Sequence, residues 1–200
     1  MQPPFSEYSK IIGKGEKGGR SLTREEAYYA MKMVLANQVT GEQRGAFLML
    51  LRTREETAEE VIGFIDACRE LLTPDVRSLT PTIDIGCYAG KRRQLPWYFL
   101  AVAVLVRQGY AIMLHGAHEP GSGRLYASEV LPALGLPAVE SIASAQQQLN
   151  SQGVTYLDLS YLLPALDDII KLREVFGLRA CANTLARLLN PSAAKYCVQG

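Results

Sequence analysis

Three consecutive cations, Lys91, Arg92 and Arg93, stand in the segment CYAGKRRQLPW. Just ahead of a helix, where free backbone NH groups and the helix dipole already favour an anion, such a run is suited to neutralising phosphate. Gly90 permits close backbone approach, and Tyr88, Trp97 and Tyr98 offer aromatic faces beside the charges. Charge paired with aromatic surface is the combination that holds single strands of nucleic acid. The plainer alternative is a solvated basic turn, and Trp97 itself is expected in the core of an apolar helix.

A second turn, HGAHEPGSGR, brings His115, Gly116, His118, Gly121 and Gly123 up to Arg124. A histidine here can exchange a proton near neutral pH, and glycines admit a ligand to the backbone. A third glycine-rich stretch, Gly13 to Gly19, holds Lys14 and Lys17 and is followed by Arg20. It follows a helix instead of a strand, so a flexible surface loop is the better expectation. No Ser/His/Asp order, Walker lysine loop or GxGxxG fingerprint is present, which leaves hydrolase, P-loop and dinucleotide readings without support. The two histidines lack a nearby Cys or Asp to complete a tetrahedral set, so no metal site is expected. Cys68, Cys87, Cys181 and Cys197 are scattered and form no CxxC pair, as expected of reduced thiols.

The elements that must position these residues belong to a globular chain of 200 residues, 48% apolar and 20% charged. The formal net charge of +1 is unevenly spread: residues 1–75 carry ten basic and twelve acidic side chains, residues 76–118 five and one, and residues 119–200 six and seven. Positive charge therefore gathers around the two turns. The greasiest run, Pro96 to Val106, is too short to span a bilayer, and MQPPFSEYSK lacks the charged start and apolar core of a secretory signal. No membrane partner and a cytoplasmic location are expected.

Thr23, Thr40 and Thr57 are each followed three residues later by Glu26, Gln43 and Glu60, the capping-box spacing repeated three times. Each predicts a helix start, after a shorter helix over Ser6–Ile12. The second of the three, with Phe47, Leu48, Leu50 and Leu51, is expected to be the most buried. Past Thr73-Pro74 the pattern becomes a βα alternation, which predicts a helical domain over 1–77 and an α/β domain over 78–200. Strands are expected at Thr82–Cys87, Tyr110–Leu114 and Val154–Leu159. Helices are expected at Pro96–Gln108 (buried), Ser128–Leu134, Ser141–Gln152 and Ala165–Phe176. In such a domain ligands bind beyond the carboxyl ends of the strands, where both turns lie.

The segments KGEKGGRSLTREEAYYAMKMVL and QRGAFLMLLRTREETAEEVIGF resemble the helical amino-terminal domain of anthranilate phosphoribosyltransferases and the nucleoside phosphorylases of the same fold. His115-Gly116 resembles the family's KHGN turn, EVLPALG its DVLEALG helix, and REVFGLRACANTLARLLNP its RxELGxRTxxNxxGPLxNP segment. The resemblance implies an α/β fold with a mainly parallel sheet behind a small helical domain, incomplete at the carboxyl end because such proteins continue past LLNP. It leaves open a fragment or a shortened gene product, with a partner chain or second fragment covering the sheet edge.

The family's GTGGDG cradle, which wraps phosphoribosyl pyrophosphate, falls on Cys87 to Arg92, where one glycine survives. Its KHGNR turn falls on residues that include Leu114, Ala117 and His118, and Arg173 resembles the arginine that meets the anthranilate carboxylate. A cradle replaced by tyrosine and a basic cluster resembles a divergent, nucleic-acid-binding branch without transferase activity. The implied protein is a homodimer through its amino-terminal helices that binds DNA or RNA backbone with little sequence preference and needs no cofactor. Its contacts would be Tyr88, Gly90, Lys91, Arg92 and Arg93, with Lys14, Lys17 and Arg20. The alternative is a glycosyltransferase using phosphoribosyl pyrophosphate with magnesium, its remodelled pocket lined by His115, Gly116, His118, Arg124 and Arg173.

Overall fold

In chain order the computed structural model runs α1 (Phe5–Gly13), α2 (Arg24–Leu35), α3 (Gly41–Arg54), α4 (Ala58–Glu70), β1 (Ile83–Gly86), α5 (Tyr98–Arg107), β2 (Ile112–Gly116), α6 (Ala127–Val130), α7 (Ile142–Gln152), β3 (Val154–Asp158), α8 (Leu159–Leu162), α9 (Pro164–Lys171), α10 (Arg173–Phe176), α11 (Ala182–Leu188) and β4 (Tyr196–Gln199). Residues 3–15, 18–88, 90–119 and 122–199 are described. The chain divides into two compact units, Met1–Leu71 with Asp168–Leu185, and Leu72–Asp167 with Ala186–Gly200. The single boundary expected at 77/78 is thus replaced by several crossings, because a late helical segment packs with the first four helices.

In the helical unit all three capping boxes form: Thr23, Thr40 and Thr57 each accept from the third backbone NH of their helix, while Glu26, Gln43 and Glu60 return to the cap. Each cap satisfies orphan donors at a helix start and contributes about 1 kcal/mol. α2 and α4 lie close enough that a Cβ at Gly63 would collide with the Arg24 carbonyl oxygen. Glu60 goes further than capping. Fully buried, it accepts from Thr57 N (2.9 Å), Thr57 Oγ1 (3.0 Å), Leu22 N (2.8 Å) and the Arg54 guanidinium (2.5 Å). Burial alone would raise its pKa, but these donors outweigh it and hold the carboxyl below its ordinary value. The helix expected to be the most buried, α3, buries Phe47, Leu48 and Leu51, whereas α4 buries six of its residues. α3 leaves Met49 and Leu50 half-buried and Ala46 exposed, so a run of apolar letters overstated its burial.

In the second unit four parallel strands pair in the order β3-β2-β1-β4. Alternation along β2 divides the core. Ile112 and Leu114 join Ile83, Ile85, Val102 and Tyr156 on one face, and Met113 joins Leu157, Val76 and Ala145 on the other. The helix expected over Ala165–Phe176 is broken into α9 and α10, and the one expected over Ser128–Leu134 becomes α6 followed by a 3-10 turn over Leu131–Leu134. β4 was not anticipated. Its four residues are all exposed and carry no alternating pattern, so pairing with β1 alone defines it. Cys68, Cys87, Cys181 and Cys197 form no disulfide, and among the described residues no helix is long and apolar enough to cross a membrane.

Candidate functional site

Both turns of interest leave the carboxyl ends of neighbouring strands, β1 and β2, and short-range bonds tie them together. Lys91 and Leu125 exchange backbone hydrogen bonds of 2.8 Å in each direction, and Arg124 Nη1 donates to the Gly90 carbonyl at 2.9 Å. Gly90 is required by packing: a Cβ there would lie 2.7 Å from the Tyr126 ring and 2.9 Å from Arg124 Cβ. The result is an open cavity of ≈ 400 Å³ lined by Gly90, Lys91, Arg92, Arg93, Gln94 and Arg124. Among the described residues four cations and no carboxylate line it, and Arg92 and Arg93 are exposed. Cations held together without a counter-charge raise the local positive potential and attract a polyanion.

The interior side of the same strand ends is chemically different. His115 and Asp84 are fully buried, with His115 Nε2 2.8 Å from Asp84 Oδ1, and Tyr88 Oη is 2.8 Å from His115 Nδ1. Burial pushes the Tyr88 phenol well above its ordinary pKa, which keeps its proton available for donation to Nδ1. With Tyr88 Oη donating to Nδ1, it is Nε2–H that donates to Asp84. This corrects two expectations: Tyr88 is not a stacking face, and His115 does not line an open pocket. Both are held in the interior because their polar atoms satisfy each other. Asp84 was missed by the sequence reading. Its signal was a lone carboxylate inside the apolar strand run TIDIGC, and its Oδ2 has no hydrogen-bond partner.

The remaining candidates scatter. Gly116 is packed against the Cys87 carbonyl oxygen and the Tyr156 hydroxyl, each 3.1 Å from where its Cβ would lie. His118 is exposed, 4.0 Å from Glu129 and edge-on to Tyr126. Arg173, in α10, and Lys14 belong to the helical unit, and Lys17 and Gly121 lie outside the described residues. Arg20 is corrected from an anion contact to a structural one. It forms a bidentate pair with Glu26 at 2.7 Å per arm and donates to the Ser21 carbonyl, while its backbone NH bonds back to Ile11 O. That pairing holds the Glu26 carboxyl down to about 2. The turn expected to be loose is also tied by Gly19 N to Gly15 O at 2.8 Å.

α5 reverses a third expectation. The helix predicted as buried over Pro96–Gln108 runs over Tyr98–Arg107 and buries Val102 alone, and Trp97, at its start, is 62% exposed. Leu100 and Val104 are exposed on the same stripe. Lys91 spans the two environments. Its Nζ lies 6.0 Å from the Tyr98 ring centroid, and it also lines an apolar cavity of ≈ 160 Å³ with Ile85, Cys87, Tyr98 and Val198. Burial pushes the Cys87 thiol up to about 12, so it carries no thiolate chemistry near neutral pH.

Among the described residues the cationic cavity is lined by no oxygen anion that would favour magnesium, and no three His, Cys, Asp or Glu are grouped to hold a metal ion.

Residues 10–72 match the family model for the helical bundle domain of a glycosyl transferase family. The chain is 28% identical to the anthranilate phosphoribosyltransferase of Geobacillus kaustophilus over 91% of its own length and 53% of that protein. It is 28% identical to the uncharacterized protein YbiB of Escherichia coli over 94% of its length and 60% of that protein. Among solved structures, the anthranilate phosphoribosyltransferase of Thermus thermophilus superposes with a TM-score of 0.80 at 27% identity, covering 96% of this chain and 57% of that one. The chain thus spans little more than half the length of these relatives. Helical bundle, parallel sheet and sequence agree on an anthranilate phosphoribosyltransferase-like fold.

Proposed function

We propose that this chain, with its phosphoribosyltransferase-like fold, has exchanged donor chemistry for polyanion binding, holding the backbone of DNA or RNA on the turn that follows β1, without transferase activity. The observation that carries the reading is the cavity lined by Lys91, Arg92, Arg93 and Arg124, with no carboxylate among the described residues of its lining. A phosphodiester chain presents repeated charge to such a surface, and displacing its counterions gives affinity that is insensitive to sequence and falls steeply with salt. The replacement of the glycine cradle points the same way. Where backbone NH groups would have to approach pyrophosphate, Tyr88 is buried and Gly90 is closed in by Tyr126. We extend the reading to a homodimer through the helical unit, which leaves Ile62, Val175 and Leu178 exposed. Two copies would double the contact with a long polyanion.

The test is fluorescence anisotropy of a labelled oligonucleotide at low and moderate salt. Tight, salt-sensitive binding that is lost in Lys91→Ala/Arg92→Ala/Arg93→Ala supports the reading; absence of binding at low salt overturns it. A second reading, a pentosyltransferase with an altered anionic donor, is favoured by the names of the relatives, which are anthranilate phosphoribosyltransferases. It predicts pyrophosphate release from phosphoribosyl pyrophosphate, measured with and without magnesium.

A further inference from the structure

Phosphate contacts alone give no preference for single strands, because a duplex presents the same phosphodiester groups at higher charge density. Discrimination needs a flat apolar surface on which an unstacked base can lie. Trp97 is such a surface. It is the one tryptophan of the chain, it caps the start of α5 with 62% of its area exposed, and it follows the basic turn by three residues beyond Gln94. Leu95 and Leu100, also exposed, flank it with apolar area. Its neighbour Tyr98 has Lys91 Nζ 6.0 Å from its ring centroid, which keeps one of the turn's cations beside the helix start. Exposed indole and clustered cations therefore lie close along the chain, at the start of one helix.

We propose that Trp97 is a base-stacking platform for the basic turn and makes it select single-stranded nucleic acid over duplex. This rests on the polyanion reading above and adds the class of strand. Lys91, Arg92 and Arg93 hold phosphates, while the indole takes the face of one base, a contact indifferent to base identity because every base has a π-face. In a duplex that face is covered by its stacked neighbours. Trp97 then contributes nothing beyond what the cations supply.

The experiment uses the full chain with an oligothymidylate of about 16 nucleotides and a duplex of equal length, spanning the site sizes typical of such surfaces. Binding is read both by anisotropy of a label and by emission of the native tryptophan, which reports on Trp97 alone. The single strand is expected to quench that emission and to bind more tightly than the duplex. Trp97→Ala should weaken the single strand about tenfold and leave the duplex unchanged, with Trp97→Phe recovering part of the loss. Unaltered thermal melting of both variants keeps the comparison free of folding effects. If the native chain binds neither probe at low salt, the polyanion reading fails and this inference with it. If it binds both equally without quenching, or if Trp97→Ala weakens neither, the platform alone is overturned, and the stripe of Trp97, Leu100 and Val104 belongs to a protein contact.

Discussion

Two turns of this protein have nearly the same ingredients, glycine beside three basic residues, yet they end in opposite electrostatic states. In the helical unit the stretch from Lys14 to Arg20 sends its arginine into a bidentate bond with Glu26. Arg54 pairs with Glu60 through one arm of its guanidinium, again six residues on. In both cases the acid is the third residue of a helix whose threonine cap stands three positions earlier, so arginine, cap and acid form one spaced unit, R-x-x-T-x-x-E. The turn after β1 has no such acid. Lys91, Arg92 and Arg93 are followed by Gln94, Leu95 and Pro96, and the nearest partner that packing supplies is another arginine, Arg124. A basic residue thus stabilises the fold where a cap supplies its counter-charge, and faces outward as a binding group where none does.

Breaking the helical side of the contrast should have the largest effect. Glu60→Ala leaves the Arg54 guanidinium and the Leu22 NH without their acceptor in a buried site, and should destabilise the chain by about 3–5 kcal/mol, read by urea unfolding. On the other side, the Lys91/Arg92/Arg93 triple alanine should lower affinity for an oligonucleotide on the order of 100-fold at low salt. The slope of log affinity against log salt should become shallower by roughly 1 for each cation that meets a phosphate. Its melting temperature should hold, because Arg92 and Arg93 are exposed and the Lys91 backbone pairing survives truncation of the side chain.

Making the two turns alike is a subtler intervention. Gln94→Glu places a carboxylate within the lining of the cationic cavity and should weaken binding by about threefold to tenfold, an effect that salt reduces. Arg20→Ala should have the smallest consequence. Nucleic-acid affinity should be unchanged, and the loss of an exposed ion pair should cost about 0.2–1 kcal/mol of stability. That loss carries its own pH signature. The Arg20 hydrogen bond holds Glu26 at about 2 in the folded chain against an ordinary 4.5, so its contribution is present above about 4.5 and disappears as pH falls toward 2. The stability difference between the native chain and Arg20→Ala should therefore vanish through that window, and a difference that persists at pH 2 would refute the assignment.

The amino-acid sequence by itself determined the elements whose signals are local. Three capping boxes form at the threonines where their spacing places them, because a cap needs only residues three apart. The three long-recognised strands and the crossover helix between the first two appear within a few residues of their expected bounds, since a parallel strand buried on both faces reads as an apolar run. The basic turn was equally plain, as three consecutive cations need no partner to be noticed. Tertiary structure decided which side of each element meets solvent. Tyr88 and His115 were candidates for an open site until Asp84, from the neighbouring strand, completed a buried chain of hydrogen bonds with them. Trp97 was expected in the core until α5 turned Val102 inward and left the indole outside. β4 exists because β1 offers it an edge, and Arg124 joins the cations because Leu125 pairs with Lys91 across two turns that are 34 residues apart at Gly90 and Arg124. Each of these outcomes depends on contacts between residues distant in the chain, and a pattern read along one segment carries no information about what lies opposite it.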